Sequence, residues 1–127
     1  MTRPAHTALT SLDELVARLE AAEDYDPLLN VAIWRVVDPD AVARMERELS
    51  RFGVDDSMLA NNCEDFVGSL DAAMGLVPEG WDNRTIGIHR DWSEAILGLP
   101  GAREAYGKAA TPALALCIAA LRARVQP

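Results

Sequence analysis

Residues 111–124 read Thr-Pro-Ala-Leu-Ala-Leu-Cys-Ile-Ala-Ala-Leu-Arg-Ala-Arg, an apolar run that ends in arginines. Thr111 is a suitable N-cap, and Pro112 fits the first helical position because its missing N–H has no intrahelical partner there. The arginines favour the negative end of the helix dipole. Because the run is apolar on nearly every face, we predict a capped helix that is buried, with Cys117 as one of its core residues.

The composition fits one globular domain with an acidic surface. The chain has 127 residues, 50% of them hydrophobic, and a formal net charge of −8. This is enough apolar material for one hydrophobic core. Nucleic-acid affinity depends largely on lysine and arginine, so the charge argues against direct nucleic-acid binding. The sequence contains no signal-peptide pattern and no membrane-spanning run, and we therefore predict a cytoplasmic protein without membrane contact.

The N-terminal half is predicted to be helical. Residues 1–10 mix small and polar types, and we predict a flexible arm there, followed by a single domain over residues 11–127. Capping signals and apolar periodicity predict helices that begin at Ser11, at Pro27, at Pro39 and after Ser69. Phe52, Leu70 and Met74 fall on the apolar stripes and are predicted to face the core. Residues 54–65 are predicted to form a loop or a short irregular helix.

Strand-like alternation occurs after residue 80. Ile86 and Ile88 alternate with polar or small residues, and residues 92–97 are predicted to form either the second strand of a hairpin or a helical turn. Residues 103–108 are predicted to be a polar connection to the last helix. We therefore predict a helix-rich α+β domain in which a small antiparallel β-sheet or hairpin packs between or against helices, with a buried C-terminal helix.

Two blocks of the chain resemble a known family. One block reads Phe-Val-Gly-Ser-Leu-Asp-Ala-Ala at 66–73 with Leu-Val-Pro-Glu-Gly-Trp at 76–81, and the other is the alanine-rich segment 109–121. Together they are similar to the phage ABA sandwich domain, a family of small phage and prophage proteins of largely unassigned function. The resemblance extends over residues 63–124 and implies a phage or prophage origin and a short sheet between helices. It implies no catalytic residue.

A group of chemically capable side chains follows the fourth predicted helix: Glu79, Trp81, Asp82, His89, Asp91 and Trp92. Aromatic side chains surrounded by charge are typical of binding hot spots, so we predict that this group, with Asp55 and Asp56, contributes to a protein-binding surface. His89 beside Glu79 or Asp91 is also a candidate general acid or base. No nucleophile lies at a recognisable spacing, and no catalytic residue is assigned.

No cofactor and no metal site is predicted. The two histidines, His6 and His89, and the two cysteines, Cys63 and Cys117, are widely separated in the chain. Zinc sites usually draw such ligands from closely spaced pairs. The acidic stretch 55–65 lacks the alternating ligands and the turn glycine of an EF-hand, so calcium is not predicted either.

These features predict a non-enzymatic phage or prophage accessory protein that binds a host or phage protein through an acidic surface. One form of this function is inhibition of a host defence complex, in which carboxylates stand where nucleic-acid phosphates would bind. One alternative is a small hydrolase or transferase that uses His89 with Glu79 or Asp91. Another is a structural or assembly protein of the virion, and self-association is left open.

Overall fold

The computed structural model describes residues 4–53, 55–101 and 103–125. The elements in chain order are α1 (Pro4–Ala21), α2 (Pro27–Val37), α3 (Pro39–Leu49), a short 3-10 turn (Ser50–Phe52), α4 (Asp56–Ala60), α5 (Leu70–Met74), β1 (Asp82–Ile88), β2 (Ser93–Gly98), β3 (Glu104–Ala109) and α6 (Pro112–Arg124). The fold is α+β, rich in helix, with a small antiparallel sheet, as predicted. Among the described residues, no helix is both long enough and apolar enough to cross a membrane.

Helix α6 is buried along most of its length. The hydroxyl of Thr111 accepts a hydrogen bond from the N–H of Leu114 at 3.2 Å, and the residues from Ala113 to Leu121 are all buried. The helix packs on the sheet and against α1 and α5. Burial raises the pKa of the Cys117 thiol to about 12, so this cysteine is an inert core residue. The predicted capped and buried C-terminal helix is confirmed.

The two arginines at the end of α6 hold neighbouring main chain in place. Arg122 Nη1 donates to the carbonyl oxygen of Tyr106 in β3 at 2.7 Å, and Arg124 Nε donates to the carbonyl oxygen of Leu76 at 2.9 Å. Such partners stabilise the fold, because a backbone carbonyl oxygen that is removed from water without a hydrogen bond costs folding free energy. The arginines therefore join the end of α6 to the sheet and to the segment that follows α5.

The sheet has the strand order β1-β2-β3, with both pairs antiparallel. Residues 92–97, which were ambiguous in the sequence, belong mostly to β2. The prediction of a polar connection over residues 103–108 is wrong, because β3 occupies this segment. Its inward residues are Ala105, Gly107 and Ala109, and these are too small to produce a recognisable hydrophobic strand pattern.

Small residues in β3 are required by the close approach of α6. A Cβ atom at Gly107 would overlap the carbonyl oxygen of Ala115 and would lie 2.8 Å from the backbone nitrogen of Ala119. Both atoms belong to the backbone of α6, so they cannot rotate away as a side chain can. Glycine at this position therefore sets the distance between the helix and the sheet.

The sheet has one covered face and one open face. The inward side chains of Ala95, Leu97, Ala105 and Ala109 join the main core with α6. The opposite side chains are exposed or half-buried, namely Thr85, Glu94, Ile96, Tyr106 and Lys108. Among the described helices, α6 contacts all three strands, α1 contacts β3, and Met74 of α5 accepts a hydrogen bond at its Sδ from Asn83 Nδ2 of β1 at 3.7 Å. The sheet thus packs against helices, and we call its exposed side the outer face.

Helix α1 begins earlier than the sequence predicts. The predicted start at Ser11 is wrong, because the helix begins at Pro4 and includes residues 4–10 of the predicted arm; residues 1–3 lie outside the described part. Proline favours the first helical position, and neither glycine nor a second proline interrupts the following residues. Leu15, Val16 and Leu19 are buried, as their apolar periodicity predicts.

The remaining helices begin at their predicted caps. The carboxylates of Asp26 and Asp38 cap α2 and α3, and the hydroxyl of Ser69 caps α5. Gly53, with φ of 71°, ends the turn after α3. Residues 54–65 include the short helix α4, whose Leu59 packs with residues of α2 and α3 in a second small core.

Three predicted core residues are instead exposed. Phe52 is 65% exposed because the chain tightens into a 3-10 turn after Leu49, which moves Phe52 off the apolar stripe. Leu70 and Met74 are each 39% exposed. Helix α5 is only five residues long, and the turn after it brings Leu76 into the core in place of Met74.

We expect Gly107→Ala to destabilise the protein by about 3 kcal/mol or more, because the added methyl group must displace the backbone of α6. Gly53→Ala is the matched control: its Cβ meets nothing within 4 Å, and only its positive φ opposes the change. We expect a cost of about 1 kcal/mol there. Urea unfolding measures both values, and equal stability of the two variants would contradict the proposed close approach.

Candidate functional site

The predicted cluster is divided between the two ends of the β1–β2 hairpin. Glu79, Trp81 and Asp82 lie before or at the start of β1, whereas His89, Asp91 and Trp92 lie in the connection to β2. Strand β1 has seven residues, which separates its ends by roughly 20 Å. Glu79 therefore does not meet His89, and the candidate acid–base pairing of these two residues is wrong.

The carboxylate beside His89 belongs to Glu94. Strand pairing places Gly87 opposite Glu94, and His89 follows two residues later on the same face. His89 Nε2 lies 2.8 Å from Glu94 Oε2, and the hydroxyl of Tyr106 donates to Glu94 Oε1 at 3.2 Å. The residue after β1 and the strands β2 and β3 thus bring a histidine, a carboxylate and a tyrosine together on the outer face.

Gly87 provides the space for this contact. A Cβ atom at Gly87 would lie 2.9 Å from Glu94 Oε2 and 3.3 Å from His89 Nε2. Any larger residue would press on both members of the pair, although flexible side chains can yield more easily than backbone. The missing side chain of Gly87 therefore lets Glu94 reach across β1 toward His89.

The Trp92 ring contacts two neighbouring side chains, His89 and Lys108. It stacks on the ring of His89, with centroids 3.9 Å apart and an interplanar angle of 20°. Lys108 Nζ lies 4.5 Å from the centroid of the Trp92 ring. Such stacking and cation–π contacts fix the orientation of an aromatic ring. We call His89, Trp92, Glu94, Tyr106 and Lys108 the outer-face cluster.

An acidic depression adjoins the cluster. It has a volume of about 500 Å³ and is lined by Trp92 and Lys108, by Asp91 of the hairpin turn, and by Glu20 and Glu23 at the end of α1. Glu20 also accepts a hydrogen bond from Arg122 at 3.4 Å, so its charge is partly balanced. The carboxylates of Glu23 and Asp91 therefore give the depression most of its negative charge.

The cluster changes the acidity of two of its members. The hydrogen bond from His89 lowers the pKa of Glu94 below its ordinary value, and Tyr106 and Lys108 act in the same direction. The pKa of Tyr106 is raised, first by desolvation and then by the hydrogen bond to Glu94. Glu94 is thus held as a carboxylate, while Tyr106 stays a neutral hydrogen-bond donor.

Asp55 and Asp56 lie apart from the outer-face cluster. Asp55 caps α4 by accepting from the N–H of Met58 at 3.0 Å, and Asp56 forms an ion pair with Arg35 at 3.0 Å. Helix α4 contacts α2 and α3 and does not contact the strands. These two carboxylates serve local structure, and they do not extend the surface around Trp92.

Three members of the cluster were absent from the sequence prediction. Glu94, Tyr106 and Lys108 lie on strands whose inward residues are mostly small, so their alternation carried little hydrophobic signal. The alternation of small and large residues over 104–109 is the sequence pattern that could have indicated β3. The glycine at position 87 could have indicated a close cross-strand contact. Cross-strand partners also depend on register, which the sequence alone does not specify.

The described residues do not contain a group of three or more His, Cys, Asp or Glu side chains arranged to hold a metal ion. Cys63 donates to the carbonyl oxygen of Asn30 at 3.4 Å, and burial is the main cause that raises the pKa of its thiol to about 11. A thiol with such a pKa is a poor nucleophile and a poor ligand near neutral pH. The side chain of His6 lies outside the described part of the chain.

Comparison with known proteins finds no matching family model, no matching curated protein and no matching solved structure. The resemblance to the phage ABA sandwich domain therefore stays a prediction based on the two sequence blocks.

We expect the stability that Glu94 contributes to depend on pH. Its pKa is lowered in the folded state, so the contribution is present above the ordinary value of 4.5 and is lost as the pH falls through the lowered pKa. Urea unfolding of the wild type and Glu94→Gln over a pH series measures this contribution. The pH dependence should shrink in a His89→Ala background, because the largest cause of the shift is then gone. If the difference in unfolding free energy between the wild type and Glu94→Gln does not change with pH, the proposed stabilisation of the Glu94 carboxylate by His89 is contradicted.

Proposed function

We propose that the protein binds a basic partner protein through the surface around Trp92. The observation that carries this proposal is the position of the Trp92 ring, which contacts both His89 and Lys108 at the edge of the acidic depression. An aromatic side chain that is already ordered loses little conformational entropy on binding. Tryptophan is also enriched among the residues that contribute most to protein interfaces.

The charge of the surface favours a basic partner. Glu23 and Asp91 flank the depression, and the whole chain carries a formal net charge of −8. Complementary charge accelerates association and discriminates against acidic partners. Lys108 is the cationic exception, but its charge lies over the Trp92 ring and near the carboxylate of Glu94. The surface as a whole therefore remains suited to arginine and lysine side chains.

The narrower form of the proposal is a phage or prophage accessory protein that acts in the host cytoplasm by occupying the nucleic-acid channel of a defence complex. Its support is the sequence resemblance together with the acidic charge. In this form the carboxylates of the protein and the phosphates of nucleic acid compete for the same basic groove.

The contact between His89 and Glu94 favours an enzymatic alternative. His89 Nε2 and Glu94 Oε2 are 2.8 Å apart, the arrangement of a general base and its orienting carboxylate. The pair lies on the open face of the sheet, and the lining of the neighbouring depression includes Trp92 but not His89. Catalytic sites usually enclose the reacting groups in a concave pocket, so the geometry favours binding.

Affinity capture with the tagged protein, followed by titration of the purified partner, tests the proposal. We expect a partner that is retained at low salt and released as salt screens the charges. Trp92→Ala should weaken its binding by about tenfold or more. Glu23→Gln combined with Asp91→Asn should also weaken binding, with a reduced salt dependence.

The control is Asp40→Asn combined with Glu48→Gln, which removes the same charge from exposed positions of α3. This variant should bind like the wild type, and circular dichroism checks that each variant is folded. A partner whose affinity is unchanged by the Trp92 and Glu23/Asp91 variants would overturn the proposed surface. Competition with duplex DNA tests the narrower form: mutual exclusion on the partner supports it, and simultaneous binding contradicts it.

A further inference from the structure

A second concave site lies on the other side of the loop that joins α1 to α2. It is a cleft of about 400 Å³ between this loop, the segment before α5 and the first turn of α6. This volume is within the range of sites that bind small ligands or a few side chains. Glu23 lines both this cleft and the depression beside Trp92. Ligand binding in this cleft is independent of the function proposed for the surface around Trp92.

The floor of the cleft is apolar. Leu29, Val67 and Leu114 are almost fully buried there, and each also belongs to the main core. Two further apolar side chains stand at the rim, Tyr25 with 62% of its surface exposed and Leu70 with 39% exposed. An aliphatic side chain that entered the cleft would cover both rim residues and would gain free energy from the apolar area removed from water.

The rim of the cleft is acidic. Glu23, Asp24 and Asp26 all line it, and none of the described lining residues is a lysine or an arginine. The carboxylate of Asp26 accepts from the N–H of Leu28 at 3.0 Å and is thus engaged as a cap. Glu23 and Asp24 are exposed, and they can pair with a cation at the mouth of the cleft.

The walls of the cleft are held in place by one carboxylate. Asp65 Oδ1 accepts from the hydroxyl of Tyr25 at 3.0 Å, from Asn30 Nδ2 at 3.0 Å and from the N–H of Gly68 at 3.1 Å. Asn30 is buried, and its Oδ1 accepts from the N–H of Val67 at 2.8 Å. This network ties the loop and the segment before α5 to α2, so the cleft is formed before any ligand arrives.

We propose that this cleft binds a short basic and apolar peptide segment, with leucine-like side chains on the apolar floor and an adjacent arginine or lysine paired with Glu23 and Asp24. Charge complementarity selects this occupant: the described residues that line the cleft include three carboxylates and no lysine or arginine, and Arg18 lines the adjoining depression beside Asp24 and Asp26.

Fluorescence anisotropy of a dye-labelled, acetylated peptide Arg-Leu-Leu-Arg-Gly measures this binding directly. We expect saturable binding to the full-length protein. Replacing both arginines by glutamate, or both leucines by serine, should weaken this binding by about tenfold or more. The first change removes the ion pairs with the rim, and the second removes the apolar contacts with the floor.

Leu70→Lys is the variant that tests the location, since it places a cation at the rim without filling the core. Leu28→Lys is its matched control: Leu28 is 41% exposed, lies in the first turn of α2 and does not line the cleft. We expect Leu70→Lys to weaken the binding of the arginine–leucine peptide by about tenfold, and Leu28→Lys and Trp92→Ala to leave it unchanged.

Three results would overturn the proposal: no saturable binding of the arginine–leucine peptide, equal binding of the serine peptide, or equal losses in the two lysine variants. Because Trp92→Ala is included, a failure here is distinguishable from a failure of the surface around Trp92.

Discussion

The contact between the backbone of α6 and strand β3 at Gly107 is the constraint on which the other features of the fold depend. No side chain fits between the strand and the carbonyl oxygen of Ala115, so the inward residues of β3 are glycine and alanine. Such close approach gives many small van der Waals contacts and leaves no space for water. The helix is consequently apolar on nearly every side, and its polar groups lie at its two ends, where Thr111 and the arginines satisfy them.

Because the helical layer covers one face of the sheet, the alternation of the strands sends their larger polar side chains to the other face. Gly87 leaves room for Glu94 to contact His89, and the stacked Trp92 lies beside them. The same close packing therefore determines both which residues form the core and which residues lie on the outer face. The acidic loop between α1 and α2 lies between the depression beside Trp92 and the cleft beside Tyr25. Negative charge and apolar surface therefore occur together at both sites.

The sequence predicts those elements whose signals are local. The Asp-Pro pairs before α2 and α3, Ser69 before α5, and Thr-Pro before α6 identify helix starts that the structure confirms. Strand β3 was missed because its inward positions hold small residues, which the tight packing with α6 requires but which resemble a loop in composition. The start of α1 was missed because the capping pattern at Ser11 occurs within a helix that begins at Pro4.

The candidate site was predictable in part. His89 and Trp92 follow from their residue types and from the hairpin pattern, and the structure places both in the outer-face cluster. The predicted pairing of His89 with Glu79 is wrong because strand β1 lies between the two residues and separates them in space. The true partner, Glu94, depends on the register of β1 and β2, and register is a property of the folded sheet.

The fold places α6 on one face of the sheet and leaves the other face to solvent. NMR paramagnetic relaxation by a soluble, neutral gadolinium chelate tests it along β3 in the free protein. We expect alternation: strong attenuation of side-chain signals from Tyr106 and Lys108, and little attenuation of those from Ala105 and Ala109. Uniformly weak attenuation across both sets would contradict it, because the outer face would then be covered in solution.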